Sequence, residues 1–274
     1  MILFGTIGTV SRYISLPSAF MSCVRALISV AVICLWMYAS HSSPDFKAIR
    51  ANLPRLIISG ILLGANWVLM FEAFRLTTVA VASVCYYMQP VFLMLCAPFF
   101  FKEKLSLKKT LCIIAGFGGM LLVTGITGDP FTTQQFLGAF LAVMAAVMYT
   151  ANIISNKKLS GISAIDSTAA QILAAGITLL PYVCVTTDFK SLSVDTRSIM
   201  LLLILAVLHT GIAYIVYYAS IRSLDAQTVA VMSYIDPVES VLLSVFILKE
   251  PMTLTTAIGS VLILGAAYIG SDSD

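Results

Sequence analysis

Apolar stretches broken only by short charged or turn-rich segments run the length of the chain. A helix needs roughly 20 apolar residues to cross a hydrocarbon core about 30 Å thick, and the pattern predicts ten spans: Met1 to about Ile14, Ser18 to Ser40, Pro54 to Phe74, Thr77 to Phe101, Thr110 to Thr127, Phe136 to Ser155, Ser167 to Thr187, Ser198 to Ile221, Ala226 to Leu248 and Met252 to Ile269. The connections are short, the longest being the polar stretch around His41 to Leu53, so the expected fold is a single all-α polytopic membrane domain. The first stretch is too short to span. It lacks the basic start and small-residue cleavage site of a signal peptide, and a missing N-terminal half-helix is the expectation there.

Composition sharpens this picture. At 59% hydrophobic and 11% charged, with a mean hydropathy of +0.99, the 274 residues fall far from soluble averages near half apolar and a quarter charged. A soluble catalytic domain is excluded, and the lipid bilayer is the first partner. The net charge of +3 carries no nucleic-acid signal, because the 16 basic residues sit singly or in small groups at segment ends. They report topology instead. Ten of them (Lys47, Arg50, Arg55, Lys102, Lys104, Lys108, Lys109, Lys157, Lys158 and Arg222) fall in loops on the side of the termini, against five (Arg12, Arg75, Lys190, Arg197 and Lys249) opposite, which predicts both termini cytoplasmic. The six cysteines lie in apolar stretches without CxxC spacing or nearby His, and are expected as small buried residues rather than redox or metal groups. No cofactor or metal is expected.

The chain repeats itself. Gly64, Arg75, Tyr87, Pro90, Val91, Lys102, Glu103 and Gly118 return as Gly211, Arg222, Tyr234, Pro237, Val238, Lys249, Glu250 and Gly265, each 147 residues on. One repeat holds five spans, an odd number, so the second copy enters the membrane from the opposite side. Residues 1–127 and 128–274 are then two inverted five-helix repeats, an architecture of secondary transporters with the substrate site near the midplane.

Three stretches resemble the EamA family of the drug/metabolite transporter superfamily: Pro17-x7-Arg25; Phe74-Arg-Leu-Thr-Thr-Val-Ala-Val-Ala-Ser ending in Gln89-Pro90-Val91 and Glu103-Lys104-Leu105; and Asp225-Ala-x-Thr-Val-Ala ending in Asp236-Pro237-Val238 and Glu250. The resemblance covers essentially the whole chain. It implies ten helices in two inverted repeats and export of amino acids or other small metabolites from prokaryotic cells. The short first stretch departs from the family pattern, matching only the later part of its opening span.

Candidate chemistry gathers at polar positions inside the spans. Pro90 and Pro237 sit near mid-span, where each removes a backbone hydrogen bond and crowds the carbonyl four residues earlier, at Tyr86 and Ser233. Such carbonyls can meet water or substrate in a cavity, or a neighbouring hydroxyl in a packed kink. Ser233, Pro237, Ser240 and Ser244 follow helical spacing, with Asp236 and Glu239 beside them. A carboxyl in hydrocarbon either faces a wet cavity or stays protonated, which suits binding a substrate amine or carrying a proton; Asp236 could instead cap the kinked half-helix. Arg25, the one basic residue deep in a span, has Glu72 at similar predicted depth, as a structural ion pair or as a site for a substrate carboxylate. His209 could relay a proton or make an interhelical hydrogen bond.

Trp67, Met70 and Phe71 match Tyr214, Tyr217 and Tyr218 by the same step, while Asn66 and Asn152 add amides near mid-span. An aromatic face with few polar handles suits a small amphipathic ligand, although helix packing also makes such stripes. The candidate substrate-binding set is therefore Asn66, Trp67, Met70, Tyr86, Gln89, Asn152, Tyr214, Tyr217, Ser233, Asp236 and Glu239. Arg25, Glu72, His209 and Glu239 form the coupling or ion-pair set. Glu103 and Glu250, at span ends, are read as structural or gating. Gly60-x3-Gly64 and Ala266-x3-Gly270 could support close helix contact or a homodimer. The chain lacks a Gly-x4-Gly-Lys-Ser/Thr loop for ATP and the His/Glu spacing of a zinc enzyme, so a secondary transporter of small molecules is the leading reading, with a passive channel or structural subunit, or an intramembrane enzyme, as alternatives.

Overall fold

The computed structural model describes residues 2–101, 106–123, 132–190, 192, 194–214, 216 and 235–271, and among these every regular element is a helix. The chain opens with α1 (Ile2–Gly5) and α2 (Ile7–Arg12), followed by α3 (Ser18–Ala39), α4 (Phe46–Ala51), α5 (Leu53–Leu76), α6 (Val79–Tyr86) and α7 (Gln89–Phe101). Then come α8 (Leu107–Val123), α9 (Thr133–Asn156), α10 (Ala164–Thr186), α11 (Thr196–Ile204), a π-helical segment π1 (Leu205–Ile212), α12 (Ile235–Phe246) and α13 (Leu254–Ser271).

Helices α3, α5, α9 and α10, of 22 to 24 residues, are long and apolar enough to cross a membrane, and Val79–Leu93, Thr110–Val123, Thr196–Ile212 and Leu254–Ala266 are shorter apolar helical stretches. This is the build of a membrane protein. The long helices start and stop within a few residues of the predicted spans. The predicted span Thr77 to Phe101 is two helices, broken at Tyr87 and Met88, and the eighth passes from α- into π-winding. The polar stretch before α5 holds α4, whose start is capped by Asp45, a side chain that accepts from the N–H groups of Lys47 and Ala48.

By contacts the chain divides into two units. Unit A comprises residues 10–68 and 151–224, and unit B residues 1–9, 69–150 and 225–274. In lipid, helices gain nothing from hiding oily side chains from one another, so close packing of small residues holds them. Within unit A, Gly60 and Gly64 of α5 lie against Ala174 and Leu179 of α10, which places this pair in an intramolecular contact. Gly176 of α10 faces Leu27 of α3. Within unit B, a side chain at Gly119 of α8 would stand 2.7 Å from the Gly259 carbonyl of α13, and one at Gly259 2.6 Å from the Gly119 carbonyl. Fully buried Ala82, Ala139, Ala142, Ala145 and Ala146 continue the theme, while Leu35, Ile114, Phe140 and Val261 point outward. Cys23, Cys85 and Cys112 are buried as expected; Cys34 and Cys184 are exposed, because they fall on outward faces of α3 and α10.

Candidate functional site

In unit B, α6 is buried from Val79 through Cys85 and ends just before the break at Tyr87 and Met88. Pro90 lies in the first turn of α7, where its missing N–H leaves no gap in the helix ladder. The Tyr87 hydroxyl donates to Asp236 Oδ2 of α12 at 3.4 Å. Asp236 and Glu239, three positions apart, share a face of α12 beside Pro237. Their second oxygens, Asp236 Oδ1 and Glu239 Oε2, are buried without a hydrogen-bond partner among the described residues. Buried acceptors left open are costly, so they invite a proton or a cationic donor. Gly5 of α1 supplies the floor. A Cβ there would lie 2.7 Å from Glu239 Oε2 and 2.9 Å from the Asp236 carbonyl.

Half-buried Tyr86 stacks at a tilt on Tyr149 of α9, with centroids 5.9 Å apart, and meets Tyr87 edge-on. The Gln89 carbonyl accepts from the Thr150 hydroxyl at 3.3 Å. The serine stripe of α12 is engaged within the protein, since Ser240 donates to the Gly5 carbonyl and Ser244 to Glu250. Glu72, the expected partner of Arg25, forms an ion pair with Arg75 one turn along its own helix, at 3.2 Å. Met70 is half-buried on α5.

In unit A, the buried Arg25 guanidinium stands 4.3 Å over the ring of Trp67, a cation–π contact between α3 and α5. Asn66 is buried beside it in sequence, and Tyr214 is half-buried just beyond π1. His209 is buried in π1, with Nδ1 3.2 Å from the Ile204 carbonyl five residues back. A carbonyl only accepts, so Nδ1 carries the proton and a neutral ring keeps Nε2 as acceptor. The Thr210 hydroxyl donates to the Leu205 carbonyl, and Ser29 of α3 reaches the Ala206 carbonyl at 2.9 Å. Asn152 belongs to a buried amide network instead: it donates to the Ser59 carbonyl and to Gln171 Oε1, while Asn156 and Gln171 exchange hydrogen bonds of 3.0 and 2.7 Å. Tyr217, Ser233, Glu103 and Tyr218 lie outside the described residues.

A recess of about 480 Å³ in unit A, where α10 ends and α11 begins, is lined by Ser15, Pro17, Thr186, Thr187, Asp188 and Asp195 with Leu192. None of the sequence-predicted site residues lines it. Asp195 there caps α11, and hydrogen bonds from the side chain and backbone of Ser198 hold its carboxyl below the ordinary 3.8 of an aspartate. Tyr87, Tyr149, Gly5 and Gln171 escaped the sequence reading. Tyr87 was already a member of the repeat pattern and Gln171 is an isolated amide in an apolar run, whereas Gly5 and Tyr149 carry no signal of their own.

Comparison with known proteins agrees with a transporter build. The model of the EamA-like transporter family matches residues 1–125 and 136–271. The uncharacterized transporter YxxF of Bacillus subtilis is 28% identical over 245 residues, covering 89% of this chain and 78% of that protein. An uncharacterized transporter of Archaeoglobus fulgidus is 28% identical over 191 residues, 69% of this chain and 66% of its own length. A crystal structure 20% identical in sequence shares the fold, with a TM-score of 0.69 over 98% of this chain and 93% of that one. With apolar membrane-length helices and family matches across both halves, the chain belongs to the EamA-like transporter family of the drug/metabolite transporter superfamily.

Proposed function

We propose that the protein is a secondary transporter that exports amino acids or similar small metabolites across the cytoplasmic membrane by alternating access. In this reading ten spans form two inverted repeats, residues 1–127 and 128–274, with both termini cytoplasmic. The observation that carries it is the pair Asp236 and Glu239, each with a buried oxygen lacking a partner, set beside the helix break at Tyr87 and Met88. An ionised carboxyl accepts an ammonium; a protonated one is neutral and releases it. Exchange of a substrate amine for a proton at this pair would couple release to the proton gradient. Tyr86, in the same unit as the pair, offers apolar surface for the substrate.

The test is efflux from liposomes holding the purified protein and labelled amino acids. Glu239→Gln keeps size and fixes the neutral state. Expected is folded protein with efflux reduced at least tenfold and flat from pH about 5 to 8, the range over which a working proton carrier must titrate. Wild-type efflux from Glu239→Gln across that range would remove Glu239 from the site, and no efflux of any amino acid by the native protein would overturn the substrate class.

A further inference from the structure

Helix α6 is held at both ends by one stretch of chain, residues 236–250. At its start the Glu250 carboxylate accepts the Val79 N–H at 2.7 Å and also takes the Ser244 hydroxyl of α12. The first N–H groups of a helix have no partner within it and lie at the positive end of its dipole, so a carboxylate there is favoured on both counts. Thr78 serves a further open position, accepting from Val81 N–H. Glu250 reaches α6 because the chain after α12 turns through a left-handed residue, Lys249, at φ 53°. The N–H groups of Leu248 and Glu250 bond back to the Leu243 and Ser244 carbonyls at 3.1 and 3.0 Å. A lysine holds such a conformation only where its surroundings impose it.

At the other end, Tyr87 follows α6 directly, its N–H bonded to the Ser83 carbonyl at 3.0 Å and its hydroxyl on Asp236. From Val79 to Tyr87 is eight positions, and from Asp236 to Ser244 is also eight. At about 1.5 Å per residue both spans measure about 12 Å, so the two clamps fall in register along antiparallel helices. The hydrogen bonds at its two ends fix where this eight-residue helix sits along α12.

We infer that Glu250 is a positioning residue for the Asp236 and Glu239 site: its cap on α6 sets the height at which Tyr87 meets Asp236. The inference rests on the transport reading for its consequence, but its geometry can be tested alone. Hydrogen exchange, resolved to single amides, is measured on the full chain in lipid nanodiscs for the native protein and for Glu250→Ala, Glu250→Gln and Tyr87→Phe. Glu250→Ala should speed exchange roughly tenfold at Val79 and also at Tyr87 and Met88, the scale of a lost charged hydrogen bond. Tyr87→Phe should affect only the Tyr87 and Met88 end. Glu250→Gln keeps an acceptor oxygen and should restore most of the protection at both ends.

Faster exchange at Val79 alone in Glu250→Ala would make Glu250 a local cap and overturn the inference. If Glu250→Ala does not fold, the glutamine variant decides, with a smaller rise at both ends expected and a rise at Val79 alone fatal. In efflux of the labelled amino-acid mixture, the Glu250→Ala/Tyr87→Phe double variant should lose no more than the worse single variant, since both act on one contact; multiplied losses would also count against it. Absence of efflux from the native protein would overturn the amino-acid substrate class and leave the exchange pattern to decide the positioning role.

Discussion

At Gly5 one added methyl group should disturb the candidate site directly. Its Cβ would press on the Glu239 carboxylate, which can rotate away, and on the Asp236 carbonyl, which cannot. Gly5→Ala should destabilise the protein by roughly 1–3 kcal/mol, as overpacking does, and change efflux together with thermal midpoint in detergent. A variant with native midpoint and native efflux would refute the close approach. Residue-level legibility was uneven for a physical reason. Asp236, Glu239, Arg25 and His209 stood out because a charge or imidazole in an apolar run is expensive and must have a purpose. The pairings did not, since the Trp67 ring under Arg25 and the Tyr87 hydroxyl on Asp236 are brought there by tertiary packing. Gly5 and Tyr149 resemble dozens of other apolar positions until a neighbour is placed against them.

The helices themselves were the most readable level, and their interruptions the least. Continuous hydropathy placed α3, α5, α9 and α10 to within a few residues, and Pro90 announced a disturbance in the fourth span. Nothing in hydropathy marks the change of winding at Leu205, and α4 was missed because a search for membrane spans passes over a six-residue polar helix. Pairings are testable at this scale. Gly259→Val should separate α8 from α13 and lower the thermal midpoint, by an amount worth roughly 1–3 kcal/mol, whereas Gly118→Val, at a position with open space around it, should be close to neutral. Equal effects from the two would contradict the packing. At the start of α11, the depressed Asp195 pKa means its ionised form is favoured by folding. That contribution is in place above the ordinary 3.8 and is lost as pH falls through the lower folded value, so the stability gap between native protein and Asp195→Ala should hold from neutral to mildly acid pH and close below 3.8. A gap independent of pH would assign the effect to packing alone.

For the molecule as a whole, the arrangement of basic residues predicts which loops face the cell interior. With Cys34 and Cys184 replaced by alanine, a membrane-impermeant maleimide added to intact cells should label a cysteine at Asp195 and leave one at Lys157 unlabelled until the membrane is opened. The opposite pattern would invert the orientation and, with it, the side on which a substrate enters. Family membership was legible because the motifs around Pro90 and Pro237 extend through both halves of the chain. The composition of units A and B was not, since each unit joins segments far apart in sequence through contacts between small residues that no linear pattern records.

The π-winding of Leu205–Ile212 has a bearing on the repeat itself. Its counterpart by the 147-residue step, residues 58–65, is wound as ordinary α-helix within α5. A π turn takes up one more residue than an α turn, and one residue is worth about 100° of rotation around the axis. The gapless match in sequence is therefore not carried by the same winding along this stretch. Deleting a single residue between Leu205 and Ile212 should return the stretch to α-winding and turn its far end by about 100°, so the π-winding decides which positions of the segment meet α3, Gly211 against Val32 among them.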